Sequence, residues 1–90
     1  MSTERRIRDL RGLGPKSEAM LATIGVSSVD AFLQSDPFEL YQRLKKPLPG
    51  LSLNLLYAML AAQEDLPWQQ IARERRTEIL LRLDDMGLAP

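Results

Sequence analysis

A tight turn near the amino end of the sequence has the residue types and spacing of a phosphate-binding site, and it reads LRGLGPKS over residues 10–17. Glycines let a backbone come close to a phosphate, while the first amides of the following helix point at the anion and the helix dipole favours its charge. A lysine and a serine hydroxyl would add contacts, and a leucine between the glycines would fix the turn in the core. The predicted contacts to the backbone of double-stranded DNA are Gly12, Leu13, Gly14, Lys16 and Ser17, with Arg8 and Arg11 assisting.

The same turn also fits an ordinary structural role, because glycine before a helix and proline in its first turn are common in helical bundles. Glu18 follows the turn at a position where its negative charge would lie near a bound phosphate. From the residues alone, the turn is compatible with a phosphate site and with a plain connection between helices.

Charge is unevenly distributed along the chain, although the formal net charge is zero. Residues 1–16 hold five basic and two acidic side chains, whereas residues 17–44 hold one basic and four acidic side chains. Arg43, Lys45 and Lys46 adjoin a second turn, and they would extend a basic face if the fold brought the two turns together. The alternative is an ordinary solvated surface. Because phosphate neutralisation supplies much of the affinity for DNA, a neutral chain is expected to bind DNA weakly and in a salt-sensitive way.

The 90 residues include no cysteine and no histidine, which excludes several classes of site. The chain has no disulfide framework, no thiolate zinc site and no imidazole for metal binding or acid–base catalysis. Asp84 and Asp85 are adjacent in a predicted helix and diverge by about 100 degrees, which is a poor arrangement for a carboxylate pair. We therefore expect no catalytic activity, no metal or other cofactor and no small-molecule substrate.

Apolar residues recur at spacings of three and four along the chain, which predicts an all-α fold. We expect a compact bundle of five or six short helices in a single domain over residues 1–90, and its glycine turn resembles that of helix-hairpin-helix and SAM-like domains with orthogonal packing. The first helix is predicted over residues 3–11, with Ser2 or Thr3 as its cap. Pro15 opens the second helix, and Gly25 ends it in a left-handed conformation.

Capping residues and breaks predict the remaining helices. Capping boxes formed by Ser27 with Asp30 and by Asp36 with Glu39 open the third and fourth helices. Ser52 caps a helix over about 53–64 that is apolar around most of its circumference, which places it at the centre of the bundle.

The last helix is predicted over about 73–86, after a turn at Pro67 and Trp68. Trp68 is expected to clamp this helix onto the core, and an exposed platform for stacking bases is the alternative. Glu78 and Arg82 have the spacing of a surface ion pair within one helix.

A weak internal repeat relates the two turns of the sequence. Leu13, Ser17 and Leu21 recur 35 residues later as Leu48, Ser52 and Leu56. In both places a glycine and proline turn leads into a serine and an apolar helix, which suggests two related hairpins.

The sequence over residues 10–25, LRGLGPKSEAMLATIG, resembles the C-terminal domain of TfoX/Sxy proteins. The segment SLNLLYA over residues 52–58 and Trp68 ahead of an arginine-rich helix extend the resemblance over nearly the whole chain. The resemblance implies a small all-helical domain related to helix-hairpin-helix modules, from regulators of natural competence that promote transcription of DNA-uptake genes. Those regulators are thought to act alongside the cyclic-AMP receptor protein, and the resemblance brings no catalytic activity.

Two functions are therefore expected. One is a regulatory module that contacts the DNA backbone weakly or with the help of a partner. The other is an adaptor that docks on a transcription regulator or a separately encoded partner domain, which would be favoured if Leu66, Trp68 or Leu88 lay in one exposed apolar patch. The sequence shows no secretory signal and no membrane segment, which predicts a cytoplasmic protein that does not bind membranes.

Overall fold

The computed structural model describes residues 5–88, which form one 3-10 turn and six α-helices, with no strand in that range. The 3-10 turn spans Ile7–Asp9. The helices are α1 (Pro15–Ala22), α2 (Val29–Gln34), α3 (Pro37–Lys45), α4 (Leu53–Glu64), α5 (Trp68–Glu74) and α6 (Arg76–Asp85). The all-α prediction is confirmed.

The prediction of the first helix is wrong for those of its residues that the structure describes. Instead of a helix over residues 3–11, only the short 3-10 turn forms, and the proposed caps Ser2 and Thr3 lie outside the described residues. The side chain of Asp9 accepts a hydrogen bond from the Arg6 amide at 2.9 Å, which closes the turn locally. Leu10 is then extended (φ −74°, ψ 147°), so the backbone leaves the helical conformation before the glycines.

Helix α1 begins and ends as its residues predict. Pro15 occupies its first turn, and Gly25 follows it at φ +84°. The amides of Gly25 and Val26 donate to the carbonyls of Ala22 and Leu21 at 3.1 and 3.0 Å. These two bonds form a Schellman motif, in which a left-handed residue satisfies the last carbonyls of a helix.

Helices α2 and α3 each begin at a side-chain cap. Asp36 caps α3 as predicted, and its carboxylate accepts a hydrogen bond from the Phe38 amide at 2.9 Å. The cap of α2 is Ser28 rather than the predicted Ser27, because the Ser28 hydroxyl accepts from the Ala31 amide at 3.1 Å.

Helix α4 is the centre of the core, as its apolar circumference predicts. It packs against both α3 and α5. Seven of its twelve residues are buried, from Leu55 to Ala62, and Ser52 caps it as predicted. It ends at Asp65, which adopts the left-handed conformation at φ 55°.

The last helix, predicted over about 73–86, corresponds to α6, whereas α5 is not predicted. Trp68 is not in a turn but opens α5, and the chain bends at Arg75, whose backbone (φ −118°, ψ 12°) is not helical. Arg75 forms ion pairs with Glu64 at the end of α4 and with Glu78 on α6. The bend thus has an arginine at its centre, held between two helices.

The polar group that joins α4 to α2 is the amide of Gln63. Its Nε2 donates to the carbonyls of Phe32 and Ser35 at 2.9 and 2.8 Å. These carbonyls belong to the last turn of α2, where carbonyls run short of helical donors, and the Phe32 carbonyl also accepts from the Ser35 amide at 3.1 Å. In residues 5–88, no helix is long and apolar enough to cross a membrane.

Candidate phosphate-binding hairpin and the adjoining groove

The first turn, defined here as the hairpin (residues 12–17), packs against the middle of α4. Gly12 has φ +83°, a conformation that favours glycine, and a side chain there would lie about 3.6 Å from the Ala58 carbonyl oxygen. Leu13 is 7% exposed, and its amide donates to the Leu10 carbonyl at 3.1 Å. The leucine therefore fixes the hairpin in the core, which is the position that the sequence analysis gives it.

The amino end of α1 faces open space. Gly14 is the N-cap residue in an extended conformation, and no heavy atom lies within 4 Å of the position that a Cβ would occupy. No side chain caps this helix, and Pro15 carries no N–H, so the amides of Lys16 and Ser17 begin the helix. Lys16 is exposed and Ser17 is half-buried. The geometry therefore brings the predicted backbone and side-chain donors together at one helix start.

Arg8 is held by Glu18. Its guanidinium donates to the Glu18 carboxylate from Nε at 3.0 Å and from Nη2 at 2.8 Å, and its backbone amide adds a third bond at 3.2 Å. These hydrogen bonds lower the pKa of Glu18 below its ordinary value and raise the pKa of Arg8. Arg8 thus neutralises the carboxylate nearest to the hairpin instead of presenting a separate cation.

Arg11 lies beside the end of α4. Its Nε is 3.5 Å from the carboxylate of Asp65, and both side chains are largely exposed. Because exposed ion pairs at such distances contribute little free energy, Arg11 remains available to another anion.

The fold brings the hairpin and the second turn (residues 47–52) to the same place. Both line a groove of about 630 Å³, with Lys16 and Ser17 on one side and residues 47–52 on the other. Asn54, Leu55 and Ala58 of α4 line the same groove. The internal repeat of the sequence therefore corresponds to a spatial pairing, because each turn leads into a helix that starts at this groove.

The predicted secondary basic patch of Arg43, Lys45 and Lys46 is divided: Lys45 and Lys46 stay beside the second turn without lining the groove, and Arg43 lies at the end of α1. Arg43 donates to the Ile24 carbonyl beyond the end of α1. The Lys45 Nζ lies 3.4 and 3.3 Å from the carbonyls of Pro49 and Leu51. Lys46 is exposed next to the second turn.

Leu66, Trp68 and Leu88, whose exposure in one apolar patch would favour an adaptor, differ in their exposure. Trp68 is 40% exposed, so it does not act as a buried clamp, whereas Leu66 and Leu88 are partly buried against the core. The predicted pairing of Glu78 with Arg82 is replaced, because Arg82 pairs with Asp36 and lies 4.2 Å over the Phe38 ring.

Sequence reasoning missed two features of this region, namely the Arg8–Glu18 pair and the apolar groove. Each depends on contacts between residues ten or more positions apart, which local patterns do not encode. The repeat of Leu13, Ser17 and Leu21 is the one signal that pointed to the groove, since it marks the two turns that line it.

The comparisons with known proteins agree with this fold. A crystal structure of an uncharacterized protein from Listeria monocytogenes has a TM-score of 0.80 to this chain and is 16% identical to it, covering 96% of this chain and 99% of that one. At this identity the likeness shows the fold alone. No curated protein matches the chain. The family model of the TfoX C-terminal domain matches residues 3–83, and the chain therefore belongs to the TfoX C-terminal domain family.

Proposed function

We propose that this domain is a non-catalytic regulatory module, associated with transcription or DNA competence, that contacts the backbone of double-stranded DNA through the hairpin. The observation that carries this proposal is the open amino end of α1, where Lys16 is exposed and no side chain caps the first amides. A helix start of this kind favours an anion through its N–H groups and its dipole. The family to which the chain belongs supports the regulatory role.

The charges of the hairpin make this binding weak. Arg8 is already paired with Glu18, which leaves Lys16 of the hairpin and the neighbouring Arg11 as the predicted cations that hold no carboxylate tightly. Nonspecific affinity for DNA grows with the number of phosphates neutralised. Two such cations on a neutral chain give a low affinity, so a partner protein that adds its own contacts would be required for tight binding.

The test is a titration of isotope-labelled protein with a short DNA duplex, first at low salt and then near physiological salt. The proposal expects shifts of the Gly12, Lys16 and Ser17 amides that shrink as salt is added. Lys16→Glu should weaken binding to every duplex alike, since phosphate contacts carry no sequence information. Arg73→Glu, which makes the same change of charge on an exposed position of α5, is the matched control. If no amide shifts at low salt, or if Lys16→Glu leaves the affinity for the duplex unchanged, the hairpin does not bind DNA.

The groove favours a second candidate function, in which the domain is an adaptor that docks on a transcription regulator or a separately encoded partner domain without touching DNA. Most of the residues that line the groove are apolar. An apolar concave surface is typical of sites that bind protein side chains rather than phosphates. The duplex titration separates the two functions, because the adaptor needs no shift at the hairpin on addition of DNA.

A further inference from the structure

The groove between the hairpin and the second turn combines an apolar lining with a positive rim. Its apolar side chains come from three elements, and they are Met20, Pro47, Leu48, Pro49, Leu51, Leu55 and Ala58. Several of these are only partly covered by the core, including Met20, Leu51 and Ala58. The groove has a volume of about 630 Å³ and is open to solvent along much of its length. Unpartnered apolar surface gains free energy when another apolar group covers it.

The electrostatics of the groove favour an acidic occupant. Among the described residues that line it, Lys16 alone is charged. The helices α1 and α4 both start at the groove, so the positive ends of two helix dipoles lie beside the apolar lining. Lys46, exposed and adjacent to the second turn, adds to the same sign of charge.

The wall of the groove is already ordered. Lys45 reaches the carbonyls of Pro49 and Leu51, and the Leu51 amide donates to the Leu48 carbonyl at 3.0 Å. Three hydrogen bonds therefore hold the second turn in shape before anything binds. A preformed wall reduces the entropy lost on binding, which favours recognition of a short segment.

We propose that this groove binds a short segment of a partner protein in which large apolar side chains stand next to a carboxylate. The apolar side chains would lie against Met20, Leu48 and Leu51, which are partly exposed, and the carboxylate would lie at Lys16 and the amino end of α1. A DNA backbone would satisfy the charge but would leave the apolar lining uncovered. This proposal rests on the partner-docking candidate above, and it names the docking surface and the chemistry of the partner.

The test begins with a selection that does not presume the partner. Random peptides of about 12 residues, displayed on phage, are selected on the full chain, and the recovered sequences are compared with those from a blank surface. The proposal expects enrichment of leucine or phenylalanine together with aspartate or glutamate. Recovery of no enriched sequence, or of basic or purely polar sequences, would overturn it.

A blocking variant then locates the binding of the enriched peptide. Gly50 lines the groove, is outside the left-handed region and has no atom within 4 Å of a Cβ position, so Gly50→Trp adds bulk at the groove without backbone strain. We expect this variant to bind the enriched peptide with an affinity about tenfold lower than that of the wild type, measured by fluorescence anisotropy. Gln69→Trp on the exposed face of α5 is the control and should bind normally. If the Gly50→Trp variant binds the peptide as tightly as the wild type does, the peptide does not occupy this groove.

A charge exchange tests the carboxylate without relying on the blocking variant. Lys16→Glu should lower the affinity for the acidic peptide by about threefold. A second peptide, in which lysine replaces the acidic residue, should bind the Lys16→Glu variant more tightly than it binds the wild type. Absence of this coupling would overturn the role of Lys16.

A duplex that loses affinity for the Gly50→Trp variant, with no peptide enriched, would assign the groove to DNA instead. A flat duplex titration alone removes only the DNA candidate and leaves the peptide result standing.

Discussion

Replacing Lys16 by glutamine should halve the salt dependence of DNA binding. Of the three cations that the sequence assigns to the hairpin and its neighbours, Arg8 is bound to Glu18 through its guanidinium and its amide. Arg11 is only loosely paired with the exposed Asp65, and Lys16 is exposed. The hairpin therefore contributes about two phosphate contacts, and Lys16 accounts for one of them.

The magnitude follows from counterion release. The logarithm of the affinity falls with the logarithm of the salt concentration with a slope of about −0.9 per phosphate contact, or about −1.8 for two contacts. Lys16→Gln should reduce the slope to about −0.9. If a contact contributes nothing at about 1 M salt, its loss lowers the affinity about fifteenfold at about 50 mM and about fourfold at about 200 mM.

The assay is the anisotropy of a labelled duplex over a series of salt concentrations. The matched control is the double variant Arg8→Gln with Glu18→Gln, which removes one positive and one negative charge that already bind each other. Its slope should equal that of the wild type. A wild-type slope for Lys16→Gln, or a reduced slope for the double variant, would show that the cations of the hairpin have been counted wrongly.

Three further predictions concern the folded state. Gln63→Ala should lower the free energy of unfolding by about 1–3 kcal/mol in urea titrations, because two hydrogen bonds to the end of α2 are lost, at about 0.5–1.5 kcal/mol each. Gly12→Ala should cost about 1–2 kcal/mol because of its φ of +83°, whereas Gly50→Ala should stay within about 0.5 kcal/mol of the wild type in the same titration. Since Arg8 holds the pKa of Glu18 below its unfolded value, the stability that this pair contributes is present above the unfolded pKa and is lost as the pH falls through the folded pKa. Glu18→Gln should therefore flatten the loss of stability on acidification, and an unchanged pH profile would contradict this origin.

The parts of the fold that the sequence predicts are those fixed by local chemistry. A cap such as Asp36 or Ser52 acts within three residues of its own position, and Gly25 ends α1 through bonds to carbonyls a few residues earlier. The central place of α4 also follows from its own residues, because a helix that is apolar around most of its circumference needs neighbours on several sides.

The features that the sequence does not predict depend on distant partners. The bend at Arg75 has neither proline nor glycine, and it lies where the arginine contacts Glu64, eleven residues earlier, as well as Glu78. The amide of Gln63 reaches a carbonyl 31 residues away. The periodicity of a single segment contains no information about such contacts, which is why the bend at Arg75 is not predicted.

The same distance effect limits prediction of the candidate site. The hairpin is recognisable because its glycines, leucine and lysine are consecutive, and the structure places Leu13 in the core as expected. Its charge is not recognisable from the sequence, because Arg8 and Glu18 meet only when the chain turns back on itself. Counting charges from the sequence alone therefore overestimates the number of cations that are free to contact a phosphate. It also overestimates the repulsion between a phosphate and the Glu18 carboxylate.

The two candidate ligands share Lys16, and this has a consequence for any mechanism that uses both. An acidic segment in the groove would neutralise the lysine and place a carboxylate near the amino end of α1, where a phosphate would otherwise bind. Binding of the segment should then weaken binding of the duplex, and by thermodynamic linkage the duplex must weaken binding of the segment by the same factor. A partner that assists DNA binding must therefore add contacts to DNA from its own surface, because its acidic segment alone would oppose the hairpin.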